Sequence, residues 1–308
     1  MALTGTNGST FIKDGYIPQV QKTFFRNTWW GNPANHPFEI VTNGPGGGTI
    51  NNLINYSTTS NSAAHVKGQP YPSPDAMLTI NSYFTKDYFE GVAKVSGQDL
   101  ANLANGGSEV PVDLEMAAIE DTLGNVEAAM NAQFLTDLAA QVDATTAYSD
   151  ASLARATYSL ASIETAQGGA LTLAVMEDTQ ESLRNTTYGI IPMSDIAICV
   201  PPNQLTNFSR LTSFDGSGAA WQSQGMDDPG RQFNFKVFNG SPVISVPGMT
   251  STEIYFLRIS TTKVYAHKSP EFKPIELNEW ANGHHIVIGG NLVVKDPRRC
   301  AKITGVTE

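Results

Sequence analysis

The sequence predicts an α+β fold, and three observations carry that prediction. The stretch from Pro111 to Val142 has the period of one long amphipathic helix. From Phe233 onward the chain reads as consecutive short β-segments: FNFKVF, PVISV, EIYFLRI, KVYAH, HHIVIGGNLVV and AKITGV. Between residues 37 and 95, two strand-like stretches flank a polar, proline-rich tip.

The helix is the most informative of the three. Met116, Ile119, Leu123, Val126, Met130, Phe134, Leu138 and Val142 recur every three or four positions. At 1.5 Å per residue such a helix is about 48 Å long. A compact chain of this size is only about 50 Å across. The helix therefore crosses the whole subunit, which suits an elongated building block better than a rounded enzyme. A coiled coil needs its seam to continue, but Gln133 and Asp137 fall where apolar residues are required. The stripe shifts instead to Phe134, Leu138 and Val142, as expected for a helix laid on a sheet.

The remaining elements follow in chain order. Residues 1–36 lack helical period, are rich in Gly, Thr and Asn, and read as an extended arm ending in the aromatic cluster Phe24, Phe25, Trp29 and Trp30. That cluster suits ordinary core or anchoring on a neighbouring subunit equally. Residues 37–95 rise through Ile50, Leu53, Ile54 and Tyr56, turn at AHVKGQPYPSPDA, and return from Met77 to Val95. An excursion of this length does not fold back on its own core, and a two-stranded arm is marginal until it packs on a partner. The Ala/Ser/Thr-rich stretch 143–168 reads as a connection, and a second helix runs from Leu171 to Asn185. Then come the strand Ile196–Val200, the breaker Pro201-Pro202, a short helix from Asn203 to Leu211, and a Gly/Ser/Asp-rich loop at 212–232.

Composition narrows the function. The 308 residues are 41% hydrophobic, enough for a packed core, but only 16% charged. Weakly charged surfaces repel one another little and favour self-association. The net charge of −10 argues against a direct reader of nucleic acid, though not against a container whose wall must not stick to it. No basic and apolar leader opens the chain, and no apolar run reaches the length of a membrane span. Cytoplasmic synthesis is the expectation.

Signals for chemistry are thin. Gly44–Gly48 lacks the Lys-Ser/Thr of a phosphate-binding loop and reads as a bend. Neither a nucleophile elbow nor a His-Glu-x-x-His helix is present. His284 and His285 are adjacent in a predicted strand, so they face opposite ways and share no metal. Cys199, within IAICV, reads as a buried thiol, and Cys300 is far from it in sequence. Glu115, Glu120, Asp121, Glu127 and Asp137 stand mostly off the apolar stripe as a solvated or interface face. Lys295, Arg298, Arg299 and Lys302 suit salt bridges to an acidic neighbour better than nucleic-acid contact. Catalytic, cofactor-binding and metal-ligating residues are all expected to be absent.

The order of parts resembles the major capsid proteins of tailed double-stranded DNA bacteriophages, which share the Hong Kong 97-type fold. The resemblance spans nearly the whole chain. It rests on the arm, the loop tipped by VKGQPYPSPD, and the helix VPVDLEMAAIEDTLGNVEAAMNAQFL after VSGQDLANLA. It rests also on TLAVMEDTQESLRNTTYGIIPMSDIAICVPPNQLTNFSRL, FNFKVFNGSPVISVPGM and IGGNLVVKDPRR. It implies an N-terminal arm (1–36), an extended loop (37–95), a peripheral domain with a spine helix (96–150), an axial domain (151–265) and peripheral C-terminal strands (266–308).

The resemblance further implies a structural subunit that self-assembles into pentamers and hexamers of an icosahedral shell around DNA, without sequence-specific binding, a cofactor or a membrane. Phe24, Phe25, Trp29, Trp30, Lys67, Tyr71 and Asp75 are then the candidate inter-subunit contacts. Some relatives weld subunits by a Lys–Asn isopeptide, for which Lys67 and Asn282 are the pair to nominate, although non-covalent locking is the default. With no charged helical pro-segment ahead of the arm, scaffolding is expected from a separate protein, as is a portal; whether decoration proteins bind is left open by the sequence. An encapsulin-like compartment is the alternative within the same fold. A β-rich extracellular binding or glycan-processing protein is the remoter one.

Overall fold

In the computed structural model, residues 29–42, 48–55, 79–96, 111–143, 162–185, 190–205, 222–225, 234–278 and 281–307 are described. Their main elements are two α-helices and three sheets, which divide at the long helix, with short helical turns at 193–195, 202–205 and 297–299.

The first sheet has the order β1-β11-β12-β4. Its strands are β1 (Glu39–Val41), β4 (Tyr88–Ser96), β11 (Thr262–Asn278) and β12 (Ala281–Val294). Helix α1 (Pro111–Gln141) lies across one face, against β4 and β12. Its stripe of Ile119, Leu123, Val126, Met130, Phe134 and Leu138 is buried, and Val142 continues it beyond the last turn. From Val126 onward the buried residues step by four, and each step turns the helix 400°. The stripe therefore drifts round the helix, as a twisted sheet demands and a straight coiled-coil seam forbids.

A close approach fixes where α1 rests. A Cβ on Gly91 of β4 would stand 2.6 Å from Thr122 Cγ2 and 2.8 Å from Val126 Cγ2. Both neighbours are β-branched and held to few rotamers, so neither yields easily. Gly91→Ala is expected to destabilise the subunit by about 1–3 kcal/mol, read as a lower urea midpoint at unchanged slope.

The second sheet has seven strands in the order β5-β13-β10-β6-β9-β8-β7. These are β5 (Ile163–Ala170), β6 (Ile196–Val200), β7 (Gln222–Gly225), β8 (Asn234–Phe238), β9 (Ser241–Ser245), β10 (Ile254–Arg258) and β13 (Ala301–Thr307). Helix α2 (Leu173–Arg184), capped by Thr172 Oγ1, which accepts from Val175 N, covers one face with Met176 and Leu183. The other face turns its Ala197, Cys199, Tyr255, Leu257 and Cys300 into the core that α1 shares. Covered on both sides, β6 is buried at all five positions, which is why IAICV is apolar without alternation.

β2 (Thr49–Asn55) and β3 (Thr79–Thr85) form a two-stranded sheet of their own, in register from Thr49 opposite Thr85 to Asn55 opposite Thr79. Ile50, at its root, is buried with Tyr265 and Val293.

Four sequence expectations change here. The return stretch Met77–Val95 is two strands, β3 in the hairpin and β4 in the four-stranded sheet. The connection 143–168 holds the start of β5, and the loop 212–232 holds β7. The C-terminal stretch 266–308 divides between sheets: β12 pairs with β4 and β11, whereas β13 runs between β5 and β10. Of the predicted short helix 203–211, residues 202–205 are helical and the rest lies outside the described residues.

Candidate functional site

The residues that hold helix, sheet and hairpin together converge on the far end of β12. There β12 runs past β4, whose pairing stops at Gly289 opposite Tyr88. The outward backbone groups beyond that point need other partners. Gln141, the last residue of α1, supplies them: its Nε2 donates to Leu292 O at 3.0 Å and its Oε1 accepts from Val294 N at 2.6 Å. The buried Gln141 amide thus replaces a strand.

Asn291 performs the same service for the hairpin root. Its Nδ2 donates to Thr85 O at 3.0 Å and to Asp87 Oδ2 at 2.7 Å, while its Oδ1 accepts from Asp87 N at 3.2 Å. One buried side chain therefore holds the two-residue joint, Lys86-Asp87, between β3 and β4.

This joint carries unusual electrostatics. Burial raises the Asp87 carboxyl above its ordinary range, against the Asn291 hydrogen bond. Burial raises Asp137 of α1 too, opposed by a 2.8 Å hydrogen bond from Gln133 Nε2 and reinforced by the Asp87 charge. His267 of β11 is lowered, by burial and by Lys86. Carboxyl groups with raised folded pKa values contribute stability below their unfolded pKa, near 4, and lose it as pH rises through the folded values. Asp137→Asn keeps the acceptor for Gln133 and removes the repulsion. The variant is expected to be more stable than the wild type at pH 7, with the difference vanishing near pH 4, as followed by urea midpoints.

His284 and His285 do face opposite ways: His285 Nε2 lies 3.3 Å from Glu90 Oε2, while desolvation lowers the pKa of the half-buried His284. Cys199 and Cys300 are free, buried thiols, and burial pushes Cys300 up to about 12 and Cys199 higher still. Asp296 pairs with Arg298 at 2.8 Å and Arg299 at 3.3 Å, so that basic cluster has an acidic partner within its own turn. Among the described residues no group of three His, Cys, Asp or Glu side chains could hold a metal ion. No described helix is long and apolar enough to cross a membrane.

Of the contact candidates, Trp30 is 1% exposed, and its Nε1 donates to Asn131 Oδ1 of α1 at 2.8 Å. Its ring meets Phe134 edge-on at 6.2 Å and Phe38 in a stack at 6.4 Å. Trp29 is half-buried and meets Trp30 edge-on at 4.3 Å. Phe24, Phe25, Lys67, Tyr71 and Asp75 lie outside the described residues. Asn282 sits on β12, opposite Val95 of β4 and Glu276 of β11.

No protein-family model matches the chain, and no curated protein sequence matches it. Solved structures do. The chain is similar to one in the cyanophage A-1(L) capsid asymmetric unit, with a TM-score of 0.63 and 12% identity, over 87% of this chain and 90% of that one. It is similar to the capsid chain of the native GTA particle, with a TM-score of 0.61 and 12% identity, over 92% and 91%. It is similar also to the holo-SrpI encapsulin complex from Synechococcus elongatus, with a TM-score of 0.50 and 11% identity, over 87% and 85%. The chain has the Hong Kong 97-type capsid fold.

That fold is shared almost end to end while about one residue in eight is retained, so it is specified by periodicity and burial more than by particular side chains. Within this capsid fold, Gln141, Asn291 and Asp87 are residues the sequence did not single out. A glutamine ending a helix and an asparagine inside a strand carry no local mark of pairing with backbone 151 to 206 positions away.

Proposed function

We propose that the protein is the major capsid protein of a tailed double-stranded DNA bacteriophage: a structural, non-enzymatic subunit that assembles into pentamers and hexamers of an icosahedral virion shell. The observation that carries this reading is the capsid fold, matched along 87% and 92% of the chain by the two highest-scoring neighbours described above. The weakly charged, acidic composition fits it, since copies must approach one another while the inner wall releases DNA.

In this reading the four-stranded sheet with α1 is the peripheral domain, and the seven-stranded sheet with α2 is the axial domain around the capsomer centre. The arm ahead of Trp29 and the hairpin tip, with Phe24, Phe25, Lys67, Tyr71 and Asp75, reach neighbouring subunits, while Trp30 stays in the subunit's own core and Trp29 flanks the arm where it leaves that core. Scaffolding, portal and decoration functions belong to separate proteins. Subunits are locked without covalent bonds and run as a single-subunit band in denaturing gels. A ladder of multiples would point to Lys67 and Asn282.

Negative-stain microscopy of the expressed full-length chain tests the reading. Rings, shells or tubes are expected, and discrete monomers under all conditions would overturn it. The encapsulin score of 0.50 keeps one second reading, a compartment around a protein cargo. Nuclease-protected DNA in particles from the native host supports the virion. A co-purifying enzyme inside DNA-free shells supports the compartment.

A further inference from the structure

Among the described residues, the four-stranded sheet ends at β4. Among the described residues, no backbone group outside β12 pairs with residues 88–95. Exposed edges are usually blunted by shortness, a bulge or proline. β1 has three residues and β7 four, and β5 is bulged near Gly168, whose φ is +63°. β4 is neither short, bulged nor interrupted by proline: it runs Tyr88–Ser96 in unbroken register with β12, and its only charged side chains are the oppositely charged pair Glu90 and Lys94.

Three large hydrophobic side chains are exposed among the described residues, and two of them are Tyr88 (52%) and Val92 (48%), on the solvent face of this strand. Glu90 and Lys94 flank Val92 on the same face. The pattern is self-complementary. Two antiparallel copies of β4 centred on Val92 place Val92 opposite Val92, and Glu90 opposite Lys94 twice. On the other face Phe89 meets Val95, and Gly91 meets Ala93.

The helix above agrees independently. Gly91 meets Thr122 and Val126, so at 100° per residue the flank of α1 overhanging the edge carries Ala118, Thr122, Asn125 and Ala129. All four are small and uncharged, whereas Glu120 and Glu127 stand on the opposite flank. Paired strands lie about 4.8 Å apart. Because α1 rests on β4 and β12 together, its axis sits inboard of the edge by about half that spacing. Two helices related by the axis would then be about 10 Å apart, a normal packing distance.

We propose that β4 is a self-complementary docking edge, at which two copies of this chain join their four-stranded sheets about a two-fold axis through Val92. The occupant is a second copy, because this edge matches its own reverse in charge and in side-chain pairing.

Val92→Cys and Lys94→Cys in the full-length chain test the register, since Cys199 and Cys300 are buried and do not compete. Opposed Val92 positions lie about 5 Å apart, within disulfide reach. The Lys94 positions are separated by four residues along the strand, about 14 Å. A disulfide-linked dimer is expected from Val92→Cys and not from Lys94→Cys. Adding Glu90→Lys or Lys94→Glu to Val92→Cys is expected to slow that cross-link by about tenfold, and adding both exchanges together restores it. Equal cross-linking by both cysteines, or no restoration, overturns the proposal. Particles without the Val92 cross-link would reject this interface while leaving the shell reading standing. Cross-linked dimers that never form particles would do the reverse.

Discussion

Replacing Trp30 by alanine is expected to destabilise the subunit by about 3–5 kcal/mol, the usual cost of emptying a fully buried aromatic site. The indole fills the angle between Phe38 and Phe134 and is 1% exposed. Little nearby can collapse into its place, because Phe134 is already held by an edge contact to Phe89 at 6.5 Å. Two companions apportion the loss. Trp30→Phe keeps most of the apolar volume and removes the donor to Asn131, so it should cost markedly less, about 1–3 kcal/mol. Asn131 keeps its second contact, from Nδ2 to Pro247 O at 3.2 Å, and stays anchored in that variant. Urea unfolding of unassembled subunits checks both values, and equal midpoints for Trp30→Ala and the wild type would remove Trp30 from the core.

Trp30 also shows what the sequence could and could not tell. An aromatic cluster at the end of a polar segment suits core and neighbour alike, because nothing local says which surface the rings meet. The answer lies in Asn131, 101 residues away. Helix α1 was legible because its period is written in its own side chains, and even the break at Gln133 and Asp137 signalled a sheet. β6 was legible for the opposite reason: burial on both faces makes its sequence uniformly apolar.

The missed strands failed on the same logic. β5 reads IETAQGGA, an edge strand whose positions alternate between half-buried and exposed, so few apolar residues mark it. β7 reads QSQG and has no apolar side chain at all. Its pairing with β8, from Gln222 opposite Val237 to Gly225 opposite Asn234, is carried by backbone. The split between β3 and β4 was hidden because Lys86-Asp87 is not a turn pair. Asn291 holds that joint from 204 residues downstream. Local sequence records periodicity and burial. It does not record a partner that satisfies backbone from across the fold.

Gln141 carries that lesson into the second large effect. Gln141→Ala removes both halves of a buried amide that completes β12. It leaves Leu292 C=O and Val294 N–H facing a space where β4 has already ended. A buried orphan group costs about 1–3 kcal/mol, so the variant is expected to lose about 2–5 kcal/mol in all. Gln141→Glu separates the two bonds. A carboxylate still accepts from Val294 N, but it cannot donate to Leu292 O and turns a lone pair towards it. This variant should be about as destabilised as the alanine at pH 7 and recover on acidification, when the protonated acid can again donate. Amide exchange at Val294 locates the damage: it should accelerate in Gln141→Ala and stay protected in acidified Gln141→Glu. Unchanged protection at Val294 in the alanine variant would mean that another group completes the strand. The helix end would then be packed on the sheet without being bonded to it.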